Sequence, residues 1–153
     1  LREAVAEYIE EELGHQEWIL NDIEACGGDK EAVRHSRPAI ATELMVSYAY
    51  DTVARINPVS FFGMVFVLEG TSINLASRAA DSIQAALHLP DKAFVYLRSH
   101  GNLDIGHMNF FESLMNRIDS ENDRQDIVHS ARIFFTLYAN IFRDIQPPVA
   151  LAA

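Results

Sequence analysis

The stretch Ser99-His100-Gly101-Asn102-Leu103-Asp104-Ile105-Gly106-His107-Met108-Asn109-Phe110-Phe111 decides how this chain folds and what it can hold. His100 and His107 bracket Asp104 at offsets of four and three, the spacings that return a side chain to the same face of an α-helix. Read as helix, the stretch lines up His100, Asp104 and His107 in one stripe. Two imidazoles and a carboxylate are poor material for an apolar core and good material for half of a first-row transition-metal site. The glycines oppose the helix locally, because Gly101 and Gly106 both lower its propensity. A boundary between a short helix opening at Pro90-Asp91-Lys92 and a longer one from Leu103 could therefore fall at residues 100–102 and take His100 off the stripe. Beyond it, Ile105, Met108, Phe111, Leu114, Met115 and Ile118 mark an amphipathic helix.

Moving toward the N-terminus, residues 58–87 predict one long helix, with Pro58 suited to its first turn. Phe61-Phe62-Gly63-Met64-Val65-Phe66-Val67-Leu68 is apolar on every side, the mark of a buried helix. Glu69 interrupts it. A carboxylate in such surroundings is costly if charged and alone, so it should be protonated, salt-bridged to Arg78 or Arg98, or bound to a metal. Gly70 beside it would let a neighbour approach the backbone or allow a kink.

Residues 2–26 predict a single amphipathic helix packing Val5, Ile9, Leu13, Ile19, Leu20 and Ile23 and ended by Gly27-Gly28. Glu3, Glu7 and Glu10 read as a solvated face. Glu12 lies three residues before His15 and Glu11 four, so either pair can face inward together. Residues 29–38 form a connector with at most a short helical turn. A second helix spans 39–56 and ends at Asn57-Pro58, and a last one spans about 123–145, capped from the acidic run 119–123 and stopped by Pro147-Pro148. With no period-two alternation, repeat or splitting linker, the fold class is all-α: a single-domain bundle of about six helices over residues 1–146, followed by a C-terminal tail at 147–153.

Composition bounds the function. A chain of 153 residues can bury one core, and no uninterrupted apolar run approaches the roughly 18 residues of a membrane span. The net charge of −10, without a Lys/Arg cluster, excludes nucleic acid and anionic membranes as partners. A single cysteine, Cys26, fits a reducing, cytoplasmic setting. No secretory signal pattern opens the chain, which begins at Leu1 inside a helical pattern, so a missing upstream segment is expected.

Counted together, Glu12 with His15, Glu69, and His100 with Asp104 and His107 give three imidazoles and three carboxylates from separate helices. That donor set suits Fe(II) or Mn(II), carboxylates can bridge two metals inside a bundle, and the lack of cysteine ligands argues against structural zinc.

The same residues carry a family resemblance. Glu11-Glu12-x-x-His15-x-x-Trp18 followed by Asp22 and Gly27, then Leu68-Glu69-Gly70, then Phe94 to His107 with its His-x-x-x-Asp-x-x-His, resembles the heme-oxygenase-like diiron oxidases. These are the iron-containing redox enzymes, related in fold to heme oxygenase, to thiaminase-like proteins and to the pyrroloquinoline-quinone synthesis enzyme. The resemblance implies a heme-oxygenase-like bundle, usually with a further helix upstream. It also implies two Fe(II) per chain, with Mn(II) as the other candidate, and a non-heme oxidase or oxygenase using dioxygen on a small organic substrate. Carried over, Glu12, His15, Glu69, His100, Asp104 and His107 match the metal ligands, with Glu11 a substitute for Glu12. Phe62, Phe66, Phe110 and Phe111 would hold the substrate, and a homodimer is an admissible assembly. A heme oxygenase would not need three inward carboxylates, and Cys26 at a helix end is badly placed to act as a thiaminase nucleophile. The alternative is a cofactorless or metal-free protein of the same fold: a thiaminase-like or quinone-synthesis-like enzyme, or an interaction module.

Overall fold

A computed structural model describes residues 2–145, with the backbone alone at 102, 103 and 105; the expected tail at 147–153 and the side chains of Leu103 and Ile105 lie outside what it describes. In chain order the helices are α1 Arg2–Glu12, α2 His15–Ala25, α3 Lys30–Arg34, α4 Ile40–Asp51, α5 Phe61–Leu87, α6 Val95–Met115 and α7 Glu121–Arg143. No strand occurs among the described residues. The fold is all-α.

Two boundaries differ from the sequence expectation, and both involve a glycine. The single helix expected over 2–26 is two, because Gly14 sits at φ 94°, ψ −10°, a left-handed conformation that only glycine adopts without strain. The chain turns at Leu13-Gly14 and restarts at His15. Conversely, the break expected near residues 100–102 is absent, and α6 runs unbroken through Gly101. A Cβ at Gly101 would collide with the Ser77 side chain of α5. The glycine is there for close helix approach, and that contact outweighs its poor propensity. Gly70, expected to serve such an approach or a kink, has open space where a Cβ would lie; its carbonyl accepts from Asn74 Nδ2 at 2.7 Å.

The connectors follow local chemistry. Asp29 caps α3 by accepting from the Glu31 and Ala32 amides, each at 3.0 Å. A wide π-type turn, Thr52–Ile56, ends α4, and one-turn 3₁₀ segments Pro58–Ser60 and Asp91–Ala93 lead into α5 and α6. Ser120 caps α7 through the Asp123 amide at 3.3 Å.

The chain groups into two compact units, Leu1–Ser36 with Glu69–Asp119, and Arg37–Leu68 with Ser120–Ala153. In the first, Ala80, Ala93 and Phe94 form a buried cluster against Ala25, Leu89 and Leu97. In the second, fully buried Phe134 of α7 meets Tyr48 of α4 edge to face at 4.9 Å. There too, Asn57 donates to Asp123 Oδ1 at 2.9 Å and Asp126 Oδ2 at 2.8 Å, tying the start of α7 to the turn before α5.

Residues 58–87 make the one described helical stretch long and apolar enough, by length and composition, to cross a bilayer. The core helix of a soluble protein meets the same criterion, and this one carries Glu69 in its interior. It is not buried all round as expected. Phe66 is 50% exposed, whereas Phe62 and Phe111 are buried.

Candidate metal centre

All six expected ligands, and Glu11, belong to the first unit. Glu11 and Glu12 close α1, His15 opens α2 across the Gly14 turn, Glu69 comes from α5, and His100, Asp104 and His107 form the α6 stripe. Glu12 Oε2 lies 2.8 Å from His15 Nδ1, and Glu12 Oε1 lies 3.9 Å from His107 Nδ1. That nitrogen is also 3.6 Å from Glu69 Oε1 and 3.6 Å from Asp104 Oδ1. Glu11 approaches the other side of the same ring, with Oε2 3.4 Å from His107 Nε2.

Two overlapping donor groups result. Glu12, His15 and His100 form one, and Glu12, Glu69 and His107 the other; within each, one ligand atom per residue lies within 4.8 Å of the rest. Glu12 belongs to both. Asp104 completes neither trio but touches the second through His107.

One imidazole is held in a defined tautomer. His100 Nδ1 is 2.8 Å from the Tyr96 carbonyl, which can only accept, so the proton is on Nδ1 and the Nε2 lone pair is free for a metal. His15 Nδ1 faces Glu12 Oε2 at 2.8 Å, a separation at which the two atoms can serve one ion together. His15 stacks on Trp18 at 4.1 Å and meets His100 edge to face at 4.9 Å.

The electrostatics are those of crowded carboxylates. Glu69 and Asp104 are 9% and 2% exposed. Burial first, then the charges of Asp104, Glu12 and Glu11, push Glu69 up to about 8. Burial likewise raises Asp104, opposed by a hydrogen bond from Ser72 and by His100 and His107. The salt bridge weighed for Glu69 does not form with Arg98, which is held by Asp81 at 3.1 Å and Gln84 at 2.6 Å. Glu69 Oε2, Asp104 Oδ1 and His107 Nδ1 are buried with no hydrogen-bond partner among the described residues. Three orphaned donor atoms on one cluster are what a divalent cation would satisfy, so the residues present fit one.

Two residues of this region escaped the sequence reading. Tyr8 is buried one turn before Glu12; its hydroxyl donates to the His107 carbonyl at 3.4 Å, and its phenol is raised well above the ordinary range by burial and then by Glu69, Glu11, Glu12 and Asp104. The i, i+4 spacing from Tyr8 to Glu12 was the available signal. Asp22, noted only as part of a motif, is buried and accepts from two α6 amides, Val95 N at 3.2 Å and Tyr96 N at 2.8 Å.

The iron-containing redox enzyme family matches the chain over residues 1–139, and the protein belongs to that family. Its fold is heme oxygenase-like: it is similar to a crystal structure from Shewanella denitrificans, described as a domain of unknown function with a heme oxygenase-like fold, at a TM-score of 0.82 and 28% identity. The match covers 90% of this chain and 60% of that one, so this chain spans less than two thirds of its structural relative. No curated protein matches it.

Proposed function

We propose that this protein is a non-heme oxidase or oxygenase that holds two Fe(II) ions and uses dioxygen to oxidise a small organic substrate, with Mn(II) as the alternative metal. The observation that carries the reading is the set of orphaned atoms, Glu69 Oε2, Asp104 Oδ1 and His107 Nδ1, beside two donor groups that share Glu12. Glu12, His15 and His100 would hold one ion, and Glu12, Glu69 and His107, with Asp104, the other. Ferrous ions there would supply the electrons that reduce dioxygen.

The chain's own residues prepare the site for that role. Glu12, Glu69 and Asp104 bring three negative charges against four positive, so the loaded centre is nearly neutral and tolerates burial. The Tyr96 carbonyl fixes the ring of His100 before metal arrives. Glu69 keeps its proton near neutral pH in the metal-free fold and must release it on binding.

The proposal extends to a cytoplasmic setting, where the free, exposed Cys26 stays reduced. It limits partners to substrate and dioxygen, with homodimerisation to be read by sedimentation. The deciding experiment is anaerobic Fe(II) loading followed by elemental analysis. Two irons per chain support the reading; a folded chain that stays metal-free sinks it in favour of a metal-free protein of the same fold.

A further inference from the structure

We infer that Asp22 is a positioning residue for the ligand His100, acting through the first turn of α6; this rests on the proposed metal site and deepens it. The residue at the N-cap of α6, Phe94, offers no side-chain acceptor to the helix. Asp22 supplies the cap from another helix, its Oδ1 accepting from Val95 N at 3.2 Å and its Oδ2 from Tyr96 N at 2.8 Å. A buried carboxylate accepting two amides at a helix N-terminus is satisfied by hydrogen bonds and by the helix dipole together, so it is a rigid anchor.

The anchored residue is the one that orients the ligand. Tyr96, held at its amide by Asp22, receives the Nδ1 proton of His100 on its carbonyl at 2.8 Å, and its ring lies 4.2 Å from the His100 ring. The route from Asp22 to the His100 lone pair is therefore two hydrogen bonds and one residue of backbone. Its far end rests on the same helix as the partner ligand. His15, Trp18 and Asp22 stand at i, i+3 and i+7 on α2, so one face of α2 offers a ligand, the ring packed against both imidazoles, and the clamp on α6. Asp22 thus fixes the register of α2 against α6 at the level where His15 and His100 meet. His107, two turns further along α6, is outside its reach.

Two measurements on the full chain test this. In the metal-free protein, long-range proton–nitrogen correlation of the histidine rings reads the His100 tautomer. The wild type should hold its proton on Nδ1, Asp22→Ala should populate both tautomers, and Asp22→Asn, which keeps an oxygen acceptor, should stay closer to wild type. In anaerobic Co(II) titration, the wild type should take two ions, while Asp22→Ala weakens one of them by roughly ten- to a hundredfold, the usual effect of losing an outer partner of a ligand, and leaves the other unchanged. Should Asp22→Ala fail to fold, Asp22→Leu, which fills the same space without an acceptor, carries both measurements. An unchanged His100 tautomer in folded Asp22→Ala or Asp22→Leu overturns the inference whether or not metal binds. A wild type that binds no Co(II) overturns the proposed function instead, and the tautomer still judges Asp22.

Discussion

Glu12 and His15 face each other at 2.8 Å across a break between two helices, not along one helix. Their offset of three would pair them on a continuous helix as well. In the fold Glu12 is the last residue of α1 and His15 the first of α2, with Gly14 in the left-handed region between them. Glu12 can thereby turn one oxygen to His15 and the other toward His107 on α6.

This turn gives a prediction of definite sign. A Cβ at Gly14 meets nothing within 4 Å, so Gly14→Ala adds only the strain of a left-handed alanine, about 1–2 kcal/mol, and should lower stability in urea titration. A continuous helix would respond in the opposite direction, gaining about 1 kcal/mol from the same change. Gly14→Asn, which tolerates this conformation better, should lose less.

Glu69 sets the pH dependence of the metal-free protein. Its pKa rises on folding from 4.5 to about 8, so the folded state binds the extra proton. The linkage then runs downward with pH: this contribution to stability is fully present below 4.5 and is lost as pH rises through 8. Metal-free wild type should be less stable at pH 8.5 than at pH 5 by an amount on the order of a few kcal/mol. Glu69→Leu should flatten most of that slope and be more stable than wild type at the alkaline end, because it removes a buried charge that no cation offsets. A Glu69→Leu variant with the wild-type slope would show that another group titrates.

Gly101 and Gly106 look alike in the sequence and should behave oppositely. Gly106 is exposed with open space at its Cβ position, so Gly106→Ala should stabilise by up to about 1 kcal/mol. Gly101→Ala should destabilise in spite of the same gain in propensity, because its methyl meets Ser77. The remaining Ser77 atoms near it, the amide nitrogen at 3.4 Å and Cβ at 3.6 Å, are at ordinary contact. Adding Ser77→Ala should therefore restore much of the loss, a coupling read by a double-mutant cycle.

The two glycine positions also mark where the sequence could and could not be read. Helical periodicity located the α6 stripe and the odd carboxylate in α5, because spacing and burial are local properties of a helix. Whether Gly14 breaks a helix depends on a backbone dihedral, and whether Gly101 continues one depends on a tertiary contact with Ser77, 24 positions earlier in the chain. Asp22 was illegible for the same reason: a carboxylate on α2 becomes a cap only once α6 is docked against it. Tyr8 was legible by spacing and overlooked, since a buried tyrosine on an amphipathic helix is ordinary core.

The overlap of the two donor groups at Glu12 makes metal stoichiometry the sharpest test of the centre. His100→Ala removes a donor from the Glu12, His15, His100 group alone, and His107→Ala removes one from the Glu12, Glu69, His107 group alone. Each should reduce two bound ions to one, with opposite ions lost. Glu12→Ala takes a donor from both groups and should bring binding close to zero, although the other named ligands are all still present. Glu11→Ala, whose carboxylate reaches only the Nε2 side of His107, should keep two ions and weaken one of them. Anaerobic Fe(II) loading with elemental analysis reads all four variants. Glu12→Ala retaining two ions while Glu11→Ala loses them would give the shared position to Glu11, and equal losses in His100→Ala and Glu12→Ala would reduce the centre to a single ion.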